Sequence, residues 1–70
     1  MDALAFAQLA ADIVPLLIRG GMTLAAAIAH LTEAAGIVEK AQAEGRDVTD
    51  AELAIFEQRR DEAHAKLQAS

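Results

Sequence analysis

Apolar residues recur along this chain at helical spacing, and glycines interrupt the pattern at two places. Gly20-Gly21 and the segment 45–48 divide the 70 residues into three stretches of similar length, each rich in helix-favouring residues. We predict helices over about 3–19, 23–44 and 50–69, with Gly45 as a left-handed stop after the second. The expected fold is all-α: one domain over 1–70, a helical hairpin plus a third helix, completed by oligomerisation or a partner.

The start of the third helix is the most fully specified boundary in the sequence. Thr49 can cap this helix, Glu52 can reach back to the Thr49 amide, and Val48 can pack on Leu53 as a hydrophobic staple. Thr23 gives the second helix a simpler cap. Both helix starts are therefore expected from local side-chain chemistry alone.

Two of the three helices carry an apolar seam. In the second helix Leu24, Ile28, Leu31, Ala35 and Val38 follow steps of four and three, the a/d spacing of a coiled coil, so we expect a partner helix on this face. The third helix has a shorter seam with Arg60 at its middle, which predicts a place near the edge of the fold. The apolar members of that shorter seam are Leu53, Phe56, Ala63 and Leu67.

The first helix is apolar around nearly its whole circumference. Gln8, Asp12 and Arg19 share a stripe about 40° wide, and large apolar residues spread over most of the rest. Such a helix must be buried on several sides. Pro15 frees the Ala11 carbonyl, which predicts either a kink or a helix that begins anew near Val14.

Composition turns this pattern into a prediction of association. A chain of 70 residues supports only a marginal core, 18 of its residues are alanine, and no cysteine is present to form a disulfide. We therefore expect a homo-oligomer or a larger protein assembly. The predicted interface comprises Leu4, Phe6, Leu9, Ile13, Leu16, Leu17, Leu24, Ile28, Leu31 and Val38.

Residues suited to catalysis or to metal binding are few. There is no Cys or Tyr, and the single serine, Ser70, ends the sequence, so we expect neither an enzyme nor a cofactor. His30 and Glu33 have a spacing that can place two ligands on one metal, but we interpret His30 as a polar interfacial or solvent-facing histidine. Glu57, Asp61 and His64 share another face, which we interpret as a solvated, salt-bridged surface.

Charge and the N-terminal segment bear on partners and location. The net charge is −5 and the isoelectric point about 4.7, which disfavours binding to nucleic-acid phosphates. The N-terminus lacks the basic region of a signal peptide and carries Asp2. A cytoplasmic location is the resulting expectation, with the inner membrane as the alternative.

Two alternative functions stay open beside a non-enzymatic assembly protein. Residues 13–38 contain only Arg19, His30 and Glu33 as ionisable interruptions, which would suit a membrane-active, holin-like hairpin, although each uncharged run is shorter than a membrane span. An acidic regulatory module that folds into the groove of a basic partner is the second alternative.

The junction between the second and third helices carries a family resemblance. It consists of Gly45-Arg46-Asp47-Val48-Thr49-Asp50-Ala51-Glu52-Leu53 and is followed by a charged, alanine-rich helix. This part of the chain resembles the C-terminal part of small helical proteins of tailed phages and prophages. The resemblance implies a virion component or a lysis-region accessory protein, and it transfers no catalytic residue.

Overall fold

A computed structural model describes residues 1–69 and shows an all-helical chain in four segments. These are α1 (Ala3–Asp12), α2 (Val14–Arg19), α3 (Leu24–Ala43) and α4 (Asp50–Ala69). The predicted second and third helices are confirmed to within about one residue at each end. Ser70, the only serine, lies outside the described residues.

The predicted first helix is divided at Ile13. This agrees with one of the two expectations for Pro15, a helix that begins anew near Val14. Pro15 has no N–H to offer the Ala11 carbonyl, and α2 begins one residue before it. Ile13 has φ −83° and ψ −8°, close to helical values, and hydrogen bonds on both sides bridge the break. Segments α1 and α2 therefore form one rod, interrupted at a single residue, that keeps its helical phase.

Local capping accounts for the helix ends. Asp2 and Thr23 each accept a hydrogen bond from a main-chain N–H two or three residues on, at 3.1 Å. Gly21 and Gly45 have φ of 105° and 63°, the left-handed region in which glycine is favoured after a helix. The predicted glycine stop at residue 45 is confirmed.

The capping box of α4 is also confirmed. The carboxylate of Glu52 accepts from the Thr49 amide at 3.0 Å, and the Thr49 hydroxyl accepts from the Glu52 amide at 3.1 Å. These are contacts within the segment that carries the phage resemblance, so general helix-start chemistry explains much of that pattern. Arg46 adds an ion pair to Glu52 at 3.1 Å.

The rod of α1 and α2 packs antiparallel to α3, and α4 lies in the groove between them. Ala3 belongs to the same buried cluster as Ala41 and Val48, whereas Ala10 reaches His30, nearer the start of α3. Two main-chain hydrogen bonds between Met1 and Val48, of 2.8 and 3.2 Å, join the start of the chain to the segment between α3 and α4. The bundle thus has three long elements, with α4 covering one side of the pair formed by the rod and α3.

The core is thin, as the alanine content predicts. Within residues 1–69, six of the eleven buried apolar side chains are alanines. Two phenylalanines, Phe6 and Phe56, fill the centre with ring centroids 4.8 Å apart in an edge-to-face arrangement. A second, smaller cluster joins Ile13 and Leu17 to Ala63 of α4. So small an interior leaves many large apolar side chains to be accommodated elsewhere.

Candidate interaction surface

The helix α3 turns three of its alanines toward the core and leaves the large apolar side chains of its first half exposed. Ala27, Ala34 and Ala41 face the core, whereas Leu24 is 70% exposed and Ile28 57% exposed. Leu24, Ile28 and Leu31 of the predicted coiled-coil seam therefore have no partner helix within the described chain, whereas Val38 at the end of the seam packs against the core. Alanines on the inner side allow the rod to approach closely, which is why the bulkier seam is left outside.

The rod presents a matching apolar row beside that seam. Leu9 and Leu16 pack in the cluster that includes Ala63 of α4, so they mark the side of the rod that faces α4. At 100° per residue, the opposite side of the rod lies about 160° away from these two leucines. It carries a second row of apolar residues, which follow one another at steps of three and four. This row consists of Leu4, Ala7, Ala11, Val14 and Ile18.

The two rows together make one surface, which we call the open face. On α3, His30 and Glu33 point to Arg59 of α4, and the exposed seam lies roughly opposite them. Because the rod and α3 are neighbours, both rows lie on the side of the bundle away from α4. The members are Leu4, Ala7, Ala11, Val14, Ile18, Leu24, Ile28, Leu31 and Ala35, and none of them is charged.

The structure divides the predicted interface residues into three groups. Leu4, Leu24, Ile28 and Leu31 lie exposed on the open face, and Val38 is half-buried against the core. Leu9 and Leu16 are half-buried on the α4 side. The prediction is wrong for Phe6, Ile13 and Leu17, which are buried inside the chain's own core.

The physical reason for that error lies in the fold of the rod. On the helical wheel, the first helix has more apolar surface than two partner helices were expected to cover. In the structure, α3 and α4 cover one broad side of this helix, and the apolar residues on that side belong to the core. Ile18 was not among the predicted interface residues. The spacing of the sequence places Ile18 in the row Leu4, Ala7, Ala11, Val14 and Ile18. Only the fold shows that Leu4 and Ile18 of this row are exposed, whereas Ala7 and Val14 are half-buried.

A polar cluster occupies the opposite, α4-facing side of α3. His30 is buried, which corrects the expectation of an interfacial or solvent-facing side chain. Its Nε2 lies 2.9 Å from the Ala10 carbonyl oxygen, and its Nδ1 lies 3.0 Å from Arg59 Nη1. Arg59 also binds Glu33 at 2.8 Å and stacks over Phe56, with Cζ 4.7 Å from the ring centroid.

These contacts use the groups that a metal would need. Both His30 and Glu33 are bound to the Arg59 guanidinium, and on α4 Arg60 lies 3.2 Å from Asp61 and 4.0 Å from Glu57. Across residues 1–69 no three His, Cys, Asp or Glu side chains gather in a way that could hold a metal ion. The cluster at His30 is therefore best described as a link between helices.

Small pockets and membrane-spanning helices were considered as alternative candidate sites in the described part of the chain. Two shallow grooves of about 150 and 240 Å³ flank Arg59, each smaller than the roughly 300–1,000 Å³ of ordinary ligand pockets. No helix in the described part of the chain combines the length and apolarity needed to cross a bilayer. Of the seven large apolar side chains that are exposed in the described residues, five lie on the open face.

One charged pair outside the open face has shifted acidity. The pKa of Glu52 is lowered by its hydrogen bond from the Thr49 amide and then by that from Arg46. The Arg46 guanidinium has its pKa raised by its hydrogen bonds to Glu52 and Glu44. Both shifts stabilise the charged forms at the α3–α4 junction.

Comparison of the chain with protein-family models, with curated proteins and with solved structures gave no significant match.

Proposed function

We propose that this chain is a non-enzymatic assembly protein that acts through helix–helix association at the open face. The observation that carries the proposal is the distribution of side chains on α3, where the buried apolar residues are three alanines while Leu24, Ile28 and Leu31 are exposed. An apolar row of this kind, continued on the rod by Leu4 and Ile18, is the usual mark of a protein interface.

Energetics favour covering this surface. Full burial of a Leu or Ile side chain contributes about 1.5–3 kcal/mol, and seven large apolar side chains of residues 1–69 are at least 40% exposed. Five of the seven lie on the open face. A core that is more than half alanine leaves the isolated chain with limited stability of its own, so association adds substantially to it.

The finer proposal is that the assembly is a phage particle. Its support is the resemblance of residues 45–53 and the helix after them to small proteins of tailed phages. The capping contacts between Thr49 and Glu52 supply a general reason for the same residues, so the assembly role stands on the open face alone.

Sedimentation velocity at micromolar concentration tests the assembly role. We expect the wild-type chain to sediment as an assembly and Leu24→Asp to dissociate it, since a carboxylate in the apolar row must lose its hydration on association. Leu24 is the first residue of α3, where a negative charge favours the helix, so the variant chain should keep its fold.

The matched control is Ile55→Asp on α4. Ile55 is 45% exposed and lies away from the open face, so this change should leave the assembly intact. A wild-type chain that is monomeric and melts cooperatively would contradict the proposal, as would equal dissociation of both variants. Ile13→Asp is unsuitable as a test because Ile13 is buried and its loss would unfold the chain.

A further inference from the structure

The buried His30 is the only polar side chain in the core of residues 1–69. It is 3% exposed, and its ring centroid lies 4.8 Å from that of Phe56. Histidine is the side chain that ordinarily changes its charge between pH 5 and 8. A charge on this ring would have little water around it, so its cost depends on the groups that the two ring nitrogens face.

Both ring nitrogens face groups that require the neutral ring. The Ala10 carbonyl, 2.9 Å from Nε2, can only accept, so the ring hydrogen is on Nε2. The Arg59 guanidinium, 3.0 Å from Nδ1, can only donate, so Nδ1 must keep its lone pair. Protonation of His30 would place a second hydrogen on Nδ1, directed at a donor that is itself a cation. The protonated ring and Arg59 cannot both keep their present places.

The charged groups that face His30 come from α3 and α4. On α4 the group is Arg59, and on α3 it is Glu33, whose carboxylate binds Arg59 at 2.8 Å. From the rod, every buried side chain is apolar, and Asp12 and Arg19 are exposed. One carboxylate is therefore shared by the arginine and the histidine of this cluster.

Glu33 can bind either of the two cations. It lies three residues after His30 on α3, a spacing that makes the two side chains neighbours on the helix surface. The Glu33 side chain is exposed, so it is free to turn. A hydrogen on Nδ1 of His30 would be a charged donor, and the Glu33 carboxylate is the anion in its cluster that can accept it.

Arg59 has space into which it can move. Its side chain is partly exposed, and grooves of about 150 and 240 Å³ lie on its two sides. Glu62 and Lys66 of α4 line the smaller groove. Glu62 is three residues beyond Arg59, so it offers the displaced guanidinium another carboxylate. In that position Arg59 would no longer join α4 to α3.

We propose that the contact between His30 and Arg59 is an acid-sensitive link between α3 and α4, in which protonation of His30 displaces Arg59 and Glu33 then binds the protonated ring. The stability that the link contributes is complete while the ring is neutral. As the pH falls, the unfolded chain takes up this proton more readily than the folded one, so stability is lost. Glu52, whose pKa is lowered from 4.5, stays charged in the range where histidine ordinarily titrates.

Thermal melts of the whole chain test the link, followed by circular dichroism at one fixed chain concentration. Between about pH 8 and pH 5, we expect the melting temperature of the wild type to fall by about 4–8 °C. His30→Gln should abolish this fall, because an amide has a donor and an acceptor but takes up no proton in this range. His64→Gln is the matched control on the exposed surface of α4, and the fall should persist in it.

The two partners of the ion pair should change the fall in opposite directions. Arg59→Met keeps an apolar side chain over Phe56 but removes the cation that faces Nδ1, and it frees Glu33 to bind the protonated ring. The fall in melting temperature should then be much smaller than in the wild type. Glu33→Gln removes the anion that receives the protonated ring, so the fall should be larger. A simple loss of one ion pair would give both variants the same response.

Nitrogen NMR of the histidine rings observes the displacement directly in the wild-type chain, so it does not depend on any variant that folds poorly. At about pH 8 we expect the His30 hydrogen on Nε2 alone. At about pH 5 both ring nitrogens should carry hydrogen, and the amide signals of α4 around Arg59 should shift over the same pH range.

Several results would overturn the link. They are a wild-type melting temperature that does not fall, a fall that persists in His30→Gln, and equal falls in Arg59→Met and Glu33→Gln. A His30 ring that stays neutral in the folded chain at about pH 5, or α4 amide signals that do not shift with it, would also overturn the displacement. The residues of the open face take no part in these measurements, so either outcome leaves the assembly role to its own test.

Discussion

The Nε2 atom of His30 lies 2.9 Å from the main-chain oxygen of Ala10, and this contact joins α3 to α1. A carbonyl oxygen can only accept, so the ring must donate from Nε2. The other ring nitrogen, Nδ1, then accepts from Arg59 of α4 at 3.0 Å. One buried side chain in its neutral tautomer thus connects three helices, next to the Phe6–Phe56 pair at the centre of the core.

Replacing His30 with leucine should therefore destabilise the fold. The variant keeps an apolar side chain in the site but leaves the Ala10 carbonyl without this donor and Arg59 without this acceptor, for a loss of about 1–3 kcal/mol. Urea denaturation measures the difference in free energy of unfolding. His64→Leu on the exposed surface of α4 is the control, and we expect it to change stability by about 0.5 kcal/mol at most. Equal effects at the two histidines would contradict the linking role.

Gly20 and Gly36 should respond oppositely to alanine. A Cβ at Gly20 would lie 3.2 Å from the Cβ and 3.3 Å from the Cα of Ala63, so Gly20→Ala should force α2 and α4 apart at a cost of about 1–3 kcal/mol. A Cβ at Gly36 meets nothing within 4 Å, and Gly36→Ala inside α3 should stabilise the helix by about 0.5–1 kcal/mol. Thermal melts of the two variants should move in opposite directions, and a stabilising Gly20→Ala would show that the contact with Ala63 is loose.

Acid should weaken the α3–α4 junction through Glu52. The pKa of Glu52 in the folded chain is below its ordinary value of 4.5, so its contribution to stability is complete above that value and is lost as the pH falls through the folded pKa. Glu52→Gln removes this titration. We expect the melting temperatures of wild type and variant to differ at neutral pH and to converge as the pH drops below about 4.5. A gap that stays constant over this range would exclude the charged interaction as the cause.

The helices and their ends were predictable because the signals that set them are local. Thr49 and Glu52 are three residues apart and bind each other, and Gly45 ends α3 through its own backbone conformation. Pro15 marked the break in the first helix, although its spacing allowed either a kink or a fresh start. None of these contacts needs knowledge of a distant residue.

The candidate surface was only partly predictable. Apolar spacing identified Leu24, Ile28 and Leu31 as a seam but gave equal weight to Phe6 and Ile13, because a helical wheel does not distinguish inward from outward apolar sides. The side that becomes core depends on which residues allow close helix approach, and on α3 those are alanines. His30 was also misjudged, since its acceptor is 20 residues away and its donor 29.

By itself, the sequence determined an all-helical chain with three long elements, capped ends, a thin alanine-rich core and more large apolar side chains than that core can hold. These properties follow from composition and from interactions over three or four residues. Only the tertiary structure decided that His30 is buried between three helices and that Leu24, Ile28 and Leu31 of α3 face outward. Both depend on the packing of helices far apart in the chain, where the close fit of small side chains and the pairing of buried polar groups determine which side faces inward.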